Sequence, residues 1–126
     1  MVTTTDVAQL TRECNAWRET LRSYRDDFGQ LKHRLQGLAA RQTHKDVLLE
    51  IEHLDNQFHI QLINIHDLKK AIKTHQHRID TEMARNATLT DETATDHEIL
   101  FDDYSRLENT LQQIIHEFED FSNHLR

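Results

Sequence analysis

The chain has 126 residues, 37% of them hydrophobic, with no proline, two glycines and a formal net charge of −7 when its ten histidines are counted neutral. Such a chain can bury a core of its own, and with so few turn-forming residues it excludes a many-stranded fold and favours long helices. The single cysteine, Cys14, excludes an intramolecular disulfide, and the acidic balance disfavours nonspecific nucleic-acid binding.

The opening "MVTTTDVAQL" has no basic end followed by an apolar stretch. No apolar run approaches the roughly 20 residues that span a bilayer. The expectation is a cytoplasmic protein without membrane association. The two glycines form no phosphate loop, and no Ser, His and acid constellation stands out, so no enzymatic activity and no cofactor are expected.

From Val7 the apolar positions run Val7, Leu10, Cys14, Trp17, Leu21, Tyr24, Phe28, Leu31, Leu35 and Leu38, in steps of three and four. This is a coiled-coil seam and predicts a helix over about 5–40. Thr43 followed by Asp46 has the form of a capping box and opens a second seam: Val47, Ile51, Leu54, Phe58, Gln61, Ile65, Leu68, Ile72, His75, Ile79 and Glu82. The second helix is predicted over about 43–85. "RNATLTDETATD" breaks the pattern, with Thr90 and Thr95 as alternative caps and Thr95 with Glu98 the better box. A third seam, His97, Leu100, Tyr104, Leu107, Leu111, Ile114, Phe118, Phe121 and Leu125, predicts a helix over about 91–126.

Short connections force neighbouring helices antiparallel, so residues 1–126 read as one domain, an antiparallel three-helix coiled-coil bundle running up, down and up. The charges divide unevenly: seven basic and five acidic side chains in residues 1–41, six and seven in 42–85, two and ten in 86–126. Arg18, Arg25 and Lys32 at e positions of the first helix are expected to face Asp96, Asp103 and Glu117 at g positions of the third.

A turn joining Leu38 to Thr43 sets Trp17 beside Ile65 and Leu31 beside Ile51. The second turn then brings Arg126 level with residues 51 to 57, so the third helix is expected to end early. The hairpin tip would protrude, with Leu31, Leu35, Leu38, Val47, Leu48 and Ile51 uncovered. Ile60 and Ile63 lie off the seam of their helix, which makes it apolar nearly all round near Phe58. An apolar surface of this kind marks an interface, and a homodimer is expected.

Ten histidines raise the question of metal. Glu50 and His53 form a Glu-x-x-His pair, but at positions turned from the core, and His59 and His66 are too far apart along a helix to share one ion. In "HEFEDFSNH", His116, Asp120 and His124 are spaced by fours on one face, a set able to chelate a transition metal. On the seams, His97 and Glu82 fall in adjacent layers and are expected to pair, with His75 meeting Tyr104. Cys14 reads as a small core residue.

"WRETLRSYRDDF" from Trp17, "HKDVLLEIEHLDNQF" from His44 and the closing "HEFEDF" resemble the pattern of a bacterial family of small helical proteins with no assigned activity. The three-helix form is also similar in architecture to a spectrin-type repeat. The expected function is that of a non-enzymatic helical interaction or scaffold protein, self-associating and presenting a coiled-coil surface to a protein partner. The alternative is a metal-binding or metal-responsive helical protein using His116, Asp120 and His124.

Overall fold

The computed structural model describes residues 4–125. It contains three helices, α1 (Thr4–Ala39), α2 (Lys45–Asn86) and α3 (Asp91–His124), packed as an up-down-up bundle in which α2 lies against both others. Among the described residues no helix is long and apolar enough to cross a membrane. The seams fold inward as their spacing requires: Cys14, Trp17, Leu21, Phe28, Leu31 and Leu35 of α1 are buried against Ile51, Leu54, Phe58, Ile65, Ile72 and Ile79 of α2 and Tyr104, Leu111, Ile114 and Phe118 of α3. At mid-bundle Phe58 joins the other two helices, its ring centroid 5.6 Å from that of Phe28 and 5.8 Å from that of Phe118.

The α2 cap departs from the expected one, and of the two alternatives for α3 the structure takes Thr90 rather than the better-looking box at Thr95. α2 is preceded by His44 as N-cap, without a side-chain capping hydrogen bond, so Thr43 and Asp46 form no box. α3 is capped by Thr90, whose hydroxyl accepts from the Thr93 backbone N–H at 3.2 Å; Thr95 lies inside the helix. The reason is tertiary. Glu82, near the end of α2, accepts from the backbone N–H of Thr90 at 2.9 Å and from the Thr93 hydroxyl, while Leu89 is buried just before the cap. These contacts draw the first turn of α3 back onto α2 and fix where it starts.

That anchoring also corrects the register. Arg78 meets Asp96 and His53 meets Glu117, so the last turns of α3 run past the level of His53 towards the α1–α2 turn. Ser122 and Leu125 line a groove with Leu38, Arg41 and Gln42, and Arg34 pairs with Glu119 at 3.3 Å. The hairpin tip is therefore covered, and Leu31, Leu35 and Ile51 belong to the core of this chain. On the other side Thr11 meets Gln76 and Phe28 meets Phe58, which moves the level of Trp17 roughly one helical turn beyond Ile65. Each turn of the chain is tighter or looser than expected by a few residues, and the two offsets add up along α3.

The expected α1–α3 charge ladder is replaced by a different one. Asp96 and Glu117 face Arg78 and His53 of α2, and Asp103 pairs with Arg106 of its own helix. α1 and α3 are joined instead through Arg34–Glu119 and through Tyr24, whose hydroxyl donates to Glu108 at 3.2 Å and accepts from Gln112 at 3.0 Å.

Candidate metal centre

Three seam residues that carry ligand atoms meet in one layer. Cys14 comes from α1, His75 from α2 and His97 from α3, and all three are buried. Their ligand atoms lie within 4.8 Å of one another. His75 Nε2 is 3.0 Å from His97 Nδ1, and Cys14 Sγ is 3.9 Å from the same nitrogen. Around a tetrahedral ion with metal–nitrogen bonds of about 2.0–2.1 Å and a metal–sulfur bond of about 2.3 Å, ligand atoms are separated by roughly 3.3–3.6 Å. The two separations at His97 Nδ1 bracket that spacing, and with all three atoms within 4.8 Å of one another the set is close enough for side-chain adjustment to bring it onto one ion.

Glu13 orients the layer. Its Oε1 lies 3.3 Å from His97 Nε2, the nitrogen that faces outward. A carboxylate accepts only, so Nε2 carries the ring proton and Nδ1 presents its lone pair to Cys14 and His75. A carboxylate behind a histidine whose other nitrogen points at the site is the usual arrangement around a metal-ligating imidazole. Trp17 packs on the His97 ring at 4.8 Å between centroids and on Tyr104 at 5.7 Å, holding the imidazole from the side.

The electrostatics divide the three donors. Burial lowers the pKa of His75, with His97 adding to the effect, so the ring is held neutral; without an ion its Nε2–H donates to the His97 Nδ1 lone pair, and ligation through Nε2 would move that proton to the other ring nitrogen. Burial, then the Glu13 carboxylate, push the Cys14 thiol up to about 11. Without an ion the sulfur therefore stays protonated, and a bound cation would have to displace that proton. A groove of ≈ 290 Å³ between α2 and α3, lined by Thr74, Arg78, Asp96, Leu100 and His75 itself, leads to the layer.

Glu82 does not pair with His97, and His75 meets His97 rather than Tyr104: the shifted register places the two histidines at the same level and gives Glu82 to the α3 cap. Two sets of three residues bring ligand atoms this close among the described residues: the buried layer, and Glu50, His53 and Glu117 on the surface. In the second, His53 and Glu117 are about half exposed, and water competes for both carboxylates. His116, Asp120 and His124 are exposed on α3, and His124 Nδ1 is turned to the Asp120 backbone carbonyl at 2.6 Å. Leu38 and Val47 are half-buried, leaving Leu48, Ile60 and Ile63 as the exposed members of the expected interface.

Sequence reasoning looked for ligand pairs on a single helix, whereas each helix here supplies one. The available signal was that Cys14, His75 and His97 all sit on seams; the correct register was needed to see them as one layer. No family model, no curated protein and no solved structure matches the chain.

Proposed function

We propose that the protein binds one late first-row transition-metal ion, zinc in the first instance, through Cys14 Sγ, His75 Nε2 and His97 Nδ1, and that this ion fastens the three helices together. The observation that carries the proposal is the convergence of one thiol and two imidazoles, one per helix, in a buried layer. Sulfur and imidazole donors select zinc or copper over magnesium and calcium, which take oxygen. A fourth position remains for water reaching the layer from the groove beside His75. Loading would release the thiol proton, so affinity rises with pH. It would also stabilise the fold by mass action, by about 2.7 kcal/mol at a free concentration one hundred times Kd.

Calorimetric titration of the metal-free chain with zinc tests this. The expected result is one site with micromolar or tighter affinity, lost in Cys14→Ser and kept in His116→Ala, His124→Ala and Glu117→Gln. An absence of binding, or a site indifferent to Cys14→Ser, would contradict it.

A second proposal concerns the outer face of α2, where Leu49, Ile60 and Ile63 are all about half exposed. Here the chain acts as a non-enzymatic helical interaction protein that self-associates as a homodimer and offers this face to a protein partner. The two roles are compatible, since the metal layer and the apolar face occupy different levels of α2.

A further inference from the structure

A second site of a different chemistry lies between α1 and α2. A groove of ≈ 380 Å³ is lined by Arg18, Arg22, His66, Lys69, Lys70 and Lys73, every one of them a basic residue. Such a lining is unexpected in a chain whose formal charge is −7. Among the described residues Arg18, Lys69, Lys70 and Lys73 have no ion pair, while Arg22 has only the exposed Glu19 at 3.6 Å. Arg25, whose charge also acts on Lys69, is paired with Asp26. Burial and the crowding of Arg25, Arg22 and Arg18 lower the pKa of Lys69, against the opposing pull of Asp26. The groove thus concentrates positive potential that its own surroundings leave largely uncompensated.

We infer that this groove binds a small extended polyphosphate anion. The basic side chains are distributed over two turns of α2, from His66 to Lys73, about 10.5 Å along the axis at 1.5 Å per residue. That spread suits a linear chain of several phosphates better than a single compact anion, because each exposed contact is individually weak and several are needed at once. Arg18 and Arg22, one turn apart on α1, present guanidinium forks that match phosphate oxygens bidentately, and the three lysines serve as point charges opposite them. The lining contains no Phe, Tyr or Trp on which a base would stack, and the heavily acidic α3 would repel a long nucleic acid or an anionic membrane. A short inorganic polyphosphate avoids both obstacles. The site shares no residue with the Cys14, His75 and His97 layer and stands independently of it.

The test is calorimetric titration of the metal-free full chain with sodium tripolyphosphate at low ionic strength. One site per chain is expected, weakening as salt is added, and Lys69→Glu or Lys73→Glu should each reduce affinity by about tenfold or more, as for loss of charge-assisted hydrogen bonds. Circular dichroism of both variants should remain that of the parent, since Lys73 is exposed and Lys69 only partly buried. Glu19→Gln should leave binding intact or tighten it. Failure to bind millimolar tripolyphosphate would overturn the inference, as would affinity unchanged by the two lysine reversals. Binding of an oligonucleotide or of phosphatidylglycerol vesicles without binding of tripolyphosphate would equally overturn it.

Discussion

At Ala87 the chain leaves α2 through a left-handed conformation, φ 58 and ψ 13, while its N–H donates to the Met83 carbonyl at 3.0 Å. A side chain there sits against its own backbone, at a cost of roughly 1–2 kcal/mol that glycine avoids. Ala87→Gly should therefore stabilise the fold by roughly 0.5–1 kcal/mol after the added freedom of the unfolded chain is subtracted, measured by urea unfolding. A loss of stability would mean that the turn does not require this conformation. The histidine layer makes a second prediction. His75 faces His97, Arg78, Asp96 and Glu82, and burial followed by the His97 charge lowers its pKa below the ordinary 6.5. Between the folded and unfolded values the unfolded chain holds more protons, so stability is full above about 6.5, falls as pH drops below it, and levels off under the folded value. Melting temperatures of the metal-free protein should decline from about pH 7 to about pH 5, and His75→Leu should flatten part of that decline. Equal slopes in parent and variant would show that His75 is not the group responsible.

Among the elements, α1 is held to α3 at the level of Cys14, His75 and His97 largely by one side chain. Trp17 is 6% exposed and its ring lies within 6 Å, centroid to centroid, of His97, Phe101 and Tyr104, all from α3. Trp17→Ala should cost ~3–5 kcal/mol in denaturant unfolding, in line with other large core deletions. A loss below about 1 kcal/mol would contradict that role. The helices and their inward faces were legible in the sequence because apolar positions at steps of three and four can be satisfied only by burying one stripe. Even the polar seam residues Gln61, His75 and His97 are buried where the spacing puts them. Register was not legible, because it depends on how Glu82 and Leu89 seat the second turn, and these are contacts between elements. The candidate centre was lost with it: Cys14, His75 and His97 are separated by long stretches of sequence, and only the correct offset aligns them. The His116, Asp120 and His124 spacing was visible for the opposite reason, being local to one helix.

For the whole molecule, covering the hairpin tip reduces the expected interface to the outer face of α2. If Ile60 and Ile63 meet a second copy, light scattering at micromolar concentration should give twice the 15.0 kDa of one chain. Changing both to Lys should return the single-chain mass with helicity intact; a monomeric parent would contradict self-association. The central claim is that three helices share one ion. X-ray absorption at the zinc edge of the loaded protein tests it most directly. The expected first shell has one sulfur at about 2.3 Å and two imidazole nitrogens at about 2.0–2.1 Å, completed by a light oxygen scatterer. A shell of nitrogen and oxygen alone, unchanged in Cys14→Ser, would place the ion on surface residues and contradict the buried site.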